Sequence, residues 1–281
     1  MEKEMKLAVL IDAENIAGKY IGVILSEANA LGNVVYKRIY GNWTSTQMGA
    51  WRDIVLDNSI QPIQQYNNAN GKNSSDSSLI IDAMDLLYTG RLNGFCIVSS
   101  DSDFTRLASR LRESEMYVLG MGEQKTPRSF ISACHKFAYL DLLYKNSKST
   151  TAAKHQQADA AKRANGAEER AAAPGRTAAK TAQRAEELSA PAPKEEAGAP
   201  VSKEEIIASL SQYAEEMSDD DGWIHAAKMA DQLGKKFPDF DARNYGQRTF
   251  VPFVKSLGLF EMKRDKTNST VVYFKLKQSG A

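Results

Sequence analysis

Carboxylates stand where no hydrophobic core needs them at three separated places in the first half of the chain. Asp12 follows the apolar run LAVLI, Asp76 sits in GKNSSDSSLIIDA with Asp82 six residues on, and Asp101 and Asp103 lie in VSSDSDF just past FCIVS. Like charges gathered in one crevice repel and raise one another's pKa, so their grouping calls for a compensating cation. Oxygen ligands without nearby Cys or His favour magnesium or manganese over zinc. Such an ion polarises a phosphate and lowers the pKa of an attacking water, which makes phosphodiester hydrolysis the natural chemistry. One metal and two metals are both compatible with the set. Taken singly, Asp12 and Asp101 also fit a helix cap, and Asp82 a helix-surface charge. Asn15, Ser99 and Ser100 are placed to orient a carboxylate, water or phosphate, and Lys72 to meet a substrate phosphate.

These carboxylates converge only if the elements before them form a parallel sheet. Apolar runs predict strands over Lys6–Ile11, Val34–Ile39, Ile60–Gln65, Phe95–Ser99 and, as the last, Tyr117–Met121. Helical spacing predicts Ile16–Leu31, Gln47–Asn58, Ser77–Thr89 and Phe104–Glu113 between them. Continuous apolar strands alternating with helices are the pattern of an α/β fold whose parallel sheet is covered on both faces. In such a sheet the carboxyl ends of the strands open on one crevice, where Asp12, Asp101 and Asp103 meet and Asp76 joins from a helix start.

The 281-residue length predicts two domains. Residues 1–146 carry 15 Lys and Arg against 16 Asp and Glu, so a nucleic-acid partner must be held by local cations and not by net charge. Cys96 and Cys134 are too few for a disulfide scaffold, and the three histidines lie apart without ligand spacing. With an apolar run of only five residues, Leu7–Ile11, before Asp12, the start reads as a buried strand and neither a signal peptide nor a membrane span; a cytoplasmic setting is expected. Residues 148–200, rich in Ala, Pro, Glu and Lys, predict a disordered linker. Beyond it, three helical stretches (Lys203–Met217, Trp223–Phe237, residues 243–257) and two strands (Leu259–Lys263, Thr270–Leu276) give the order of a winged-helix α+β module. Lys228, Lys235, Lys236, Arg243, Arg248, Lys255, Lys263, Arg264 and Lys266 are its candidate phosphate contacts, whereas Tyr245 and Phe250 read as structural.

LAVLIDAENI, SSDSSLIIDAMDLL and GFCIVSSDSDFTRLASRLRESEMYVLGMG, in that order over about residues 5–145, resemble the NYN domain, a branch of the PIN-like nuclease fold. The resemblance implies a ribonuclease using magnesium or manganese, with Asp12, Asp76, Asp101 and Asp103 as its carboxylates and Asn15 and Asp82 alongside. Ser100 departs from the family's usual SGDSDF. Trp223, Phe240, the Asn-Tyr-Gly at 244–246 and Leu-Gly-Leu-Phe at 257–260 resemble the OST-HTH or LOTUS domain over about residues 202–278. That implies RNA as partner, in some members a protein as well, and a pairing that recurs in bacterial proteins. The leading expectation is therefore a metal-dependent ribonuclease with a tethered RNA-binding module, 1–147 and 201–281. A non-catalytic RNA-binding adaptor and a small-molecule phosphohydrolase remain as alternatives.

Overall fold

The computed structural model describes residues 4–65, 74–148, 199–265 and 267–277. The first module contains six strands: β1 (Lys6–Asp12), β2 (Asn33–Gly41), β3 (Gln61–Gln64), β4 (Gly94–Val98), β5 (Tyr117–Gly122) and β6 (Lys136–Tyr139). All pair in parallel in the order β3-β2-β1-β4-β5-β6. Strand order reverses between β1 and β4, and beyond the carboxyl ends of strands at such a switch point is where open α/β sheets bind ligands.

Side-chain alternation along β1 explains why both faces must be covered. Leu7, Val9 and Ile11 point to one core with α1 (Ile21–Leu31), α2 (Arg52–Asp57) and α6 (residues 140–148). Ala8 and Leu10 point to the other, with α3 (Ser74–Tyr88), α4 (Thr105–Glu113) and α5 (Arg128–Ala133). On α3, Leu79, Ala83 and Leu86 recur at helical spacing on the buried stripe. Each fully buried Leu or Ile contributes about 1.5–3 kcal/mol. The free thiols Cys96 and Cys134 belong to opposite cores.

The sequence expectations differ from the structure at element starts. Residues 16–20 do not open α1: Ala17 is extended and a 3-10 turn, Gly18–Tyr20, precedes the helix, because Asp12 draws the backbone of residues 14 and 15 into its own loop. A sixth strand, β6, follows the strand expected to be last; it is four residues long and follows directly on α5, too short to stand out by alternation. Helix α3 begins at Ser74, so Asp76 lies in its first turn.

The second module consists of α7 (Lys203–Met217), α8 (Ala226–Lys236), α9 (Phe250–Ser256) and an antiparallel sheet ordered β7-β9-β8. Its strands are β7 (Ile224–His225), β8 (Phe260–Arg264) and β9 (Val272–Leu276). A reciprocal capping box, Ser202 with Glu205, starts α7. Trp223 precedes a short strand where a helix start was expected, and left-handed Gly246 ends a 3-10 turn before α9. No helix among the described residues is long and apolar enough to cross a membrane.

The modules touch. The Phe137 amide on edge strand β6 donates to the Pro238 carbonyl at 2.8 Å. Asp239, 1% exposed, accepts from Arg128 at 3.0 Å and from the Tyr139 hydroxyl at 2.9 Å. Arg243 forks onto both oxygens of Glu27 on α1, at 2.6 and 2.9 Å, while also bonding Asp241. An exposed sheet edge is thereby partly covered. The linker expectation for residues 148–200 falls almost wholly outside the described residues.

Candidate metal centre

Asp12 ends β1 and is 2% exposed. One carboxylate oxygen accepts the amides of Glu14 at 3.1 Å and Asn15 at 3.3 Å. The other accepts Asn15 Nδ2 and Ser99 Oγ, both at 2.7 Å. A carboxylate has about four acceptor sites, so Asp12 is saturated by its own loop and by the end of β4. Ser99 also accepts the Asp101 amide at 3.1 Å, linking Asp12 to the next acidic turn. Ser100 Oγ accepts the Glu123 amide at 2.9 Å and ties that turn to the end of β5.

Asp101 is at once a cap and a member of the acidic cluster. One of its oxygens accepts the Asp103 amide at 3.0 Å, starting the 3-10 turn Ser102–Phe104. Ligand oxygens of Asp76, Asp101 and Asp103 lie within 4.8 Å of one another. Oxygens around an octahedral magnesium ion lie about 3.0 Å apart when adjacent and about 4.2 Å apart when opposite, so this trio would draw in to hold one. All three donors are carboxylates, which fits a hard divalent cation and gives no fit to a thiolate-bound metal. Partial burial, then the charges of Asp12, Asp101, Asp103 and Glu14, push the Asp76 carboxyl up to about 7. A pocket that raises a carboxylic acid this far is one in which negative charge lacks compensation.

Of the residues chosen from sequence, the structure brings Asp76, Asp101 and Asp103 together, with Asp12 linked to Asp101 through Ser99. Asn15, Ser99 and Ser100 hold this frame. Asp82 is engaged elsewhere, by the Arg38 guanidinium and the Tyr40 hydroxyl. Lys72 lies outside the described residues, as does Lys266. Sequence reasoning passed over Glu14, exposed beside the cluster, and Glu123 at the end of β5. Burial works to raise the Glu123 carboxyl, but Lys125 and the Tyr20 hydroxyl outweigh it and hold it low. Its position was legible only once Tyr117–Gly122 was placed beside β4.

The chosen cations of the second module differ in how they are engaged. Lys228 and Arg248 are exposed, Lys235 pairs with Asp231 at 2.7 Å, and Lys236 lies over the Phe237 ring. Lys263 lies 4.1 Å over the Trp223 ring and Arg264 donates to the Ser269 carbonyl. Arg243 is occupied at the junction with the first module. Tyr245 and Phe250 pack around Phe240, with Tyr245 also donating to the Val201 carbonyl, in line with their structural reading.

Comparison with known families matches the NYN domain to residues 6–141 and the OST-HTH/LOTUS domain to residues 200–272. No curated protein matches. Among solved structures, a protein of unknown function from Vibrio parahaemolyticus is 17% identical, with half of this chain and 94% of that one covered, at a TM-score of 0.43. That likeness is too slight to bear on the site.

Proposed function

On the premise that the chain joins an NYN domain to an OST-HTH/LOTUS domain, we propose that it is a divalent-metal-dependent ribonuclease whose second module binds the RNA it cuts. The convergence of Asp76, Asp101 and Asp103 carboxylates within 4.8 Å, at the switch point of a parallel sheet, carries this reading. In this reading those three side chains would hold magnesium or manganese, which would lower the pKa of an attacking water and neutralise charge on the phosphate. Asp12 serves from behind: locked by Asn15 and Ser99, it fixes the turn that presents Asp101 and adds negative potential at Asp76. Asp101 holds the turn of Asp103 as well as its own ligand position. Asp82, paired with Arg38, steadies β2 against α3 and is left out of the ligand set.

The test is cleavage of labelled single-stranded and structured RNA with magnesium, with manganese and with chelator, by the intact protein and by Asp101→Asn. Metal-dependent cleavage that disappears in the variant is the expected result. RNA binding without cleavage by either protein would instead make the chain an adaptor.

A further inference from the structure

A cleft of about 660 Å³ opens where the two modules meet, at the other end of the sheet from the carboxylates. Tyr117 begins β5 opposite Gly94, whereas the acidic turn follows Val98 at the far end of β4. Arg112 and Lys136 line it from the first module, and Lys235 and Lys236 from the end of α8. Among the described residues lining it the one carboxylate, Asp231, pairs with Lys235, which leaves three cations without a counter-charge among those residues. Asp241 and Glu205, which feel Lys136 and Lys236 across space, are occupied by Arg243 and Ser202. Arg112 is steadied by the Ser132 and Cys134 carbonyls at 3.1 and 3.4 Å, through one of its three nitrogens.

An aromatic surface lies among these charges. The exposed His135 ring stacks on Tyr117 with centroids 5.0 Å apart and planes 15° apart. Its Nδ1 accepts the Val118 amide at 3.0 Å, which fixes the ring. Burial, and then Arg112, hold its pKa below the usual imidazole range, so it offers a neutral ring face at pH 7. Cations drawn from three elements and two modules, with a pinned ring between them, match the phosphates and unstacked bases of a single strand.

We propose that this junction cleft is an RNA exosite, holding phosphates on Arg112, Lys136 and Lys236 and stacking a base on His135. It rests on the RNA-directed reading above and adds to it a second point of attachment. The six residues of β5 span about 20 Å at about 3.3 Å each, so the exosite stands roughly that far from the carboxylates. At about 3.4 Å per stacked nucleotide, a strand needs about six nucleotides to bridge the two.

The test uses the full chain carrying Asp101→Asn, so that RNA stays intact, with and without Lys136→Gln and Lys236→Gln together. Binding of labelled 5- and 20-nucleotide single-stranded RNA is followed by fluorescence anisotropy across salt concentrations. The expected result is about a tenfold loss on the 20-mer, with a salt slope shallower by about 1.4, and a much smaller loss on the 5-mer. Unchanged binding of both RNAs by the variant would overturn the exosite and leave the RNA-directed reading standing. An equal loss on both lengths would overturn it as a distal site. A mononucleotide competing as well as the 20-mer would assign the cleft to free nucleotides and overturn it too. Absence of binding to either RNA by the parent would remove the underlying reading along with the proposal.

Discussion

At the residue scale, the carboxylates are distinguished by what already occupies them. Asp12 and Asp82 have their oxygens taken by protein donors, whereas Asp76 is pushed toward its neutral form by burial and by four neighbouring negative charges. Asp101→Asn is therefore a clean probe, because asparagine keeps the cap on the Asp103 amide while removing the charge. It should lower manganese affinity by about 10–100-fold with melting temperature nearly unchanged, checked by calorimetric titration and thermal unfolding. Asp76 makes a pH prediction of definite sign. Its folded pKa of about 7 exceeds the ordinary 3.8, so the metal-free native state binds the proton more tightly than the unfolded chain. Through this group stability declines as pH rises from about 4 to about 7, and the penalty is complete above that. A cation between the carboxylates removes the penalty, so millimolar manganese should raise the melting temperature more at pH 8 than at pH 5. Equal shifts at the two pH values, or the reverse order, would contradict the role given to Asp76.

At the element scale, the site depends on how closely β5 runs beside the end of β4. A Cβ on Gly122 would stand 2.6 Å from the Ser99 carbonyl oxygen and 2.5 Å from Thr126 Oγ1, too close for either to stay. Gly122→Ala should therefore cost about 1–3 kcal/mol and displace Ser99 from Asp12, weakening metal binding although no carboxylate is altered; denaturant unfolding and metal titration measure both effects. Strands such as FCIVS, and the Asp residues after them, were legible in the sequence because continuous apolar runs and acidic breaks are local signals. The parallel sheet and the gathering of Asp101 and Asp103 followed from that pattern. Less legible were features set by distant partners. Asp82 has the same spacing whether it faces the crevice or, as here, Arg38 and Tyr40 from β2. Four-residue β6 shows its nature only through pairing with β5, and His225 takes up strand geometry because β9 supplies the partner.

At the scale of the whole molecule, a covalent tether would raise the local concentration of RNA without setting its direction. The contacts at the junction would set direction as well, and they engage Arg243, which the sequence offered as one of nine candidate phosphate contacts. Its guanidinium spans Glu27 of one module and Asp241 of the other, while Asp239 is buried against Arg128 and Tyr139. Removing Asp239 strips an acceptor from both partners; removing Arg243 leaves two facing carboxylates, Glu27 and Asp241, without their shared cation. The Arg128 side chain is 43% exposed, so solvent screens this ion pair and each change should cost about 1–3 kcal/mol, less than a fully buried pair would. That is small against the stability of either core but large against a docking held by a few polar contacts. Asp239→Ala with Arg243→Ala should therefore split unfolding into two calorimetric transitions and enlarge the radius of gyration seen by X-ray scattering. If the exosite spans both modules, the same variant should also lose the length-dependent part of RNA affinity while keeping its metal affinity. A variant that melts in one transition, with unchanged dimensions, would show that the modules are held by contacts other than these.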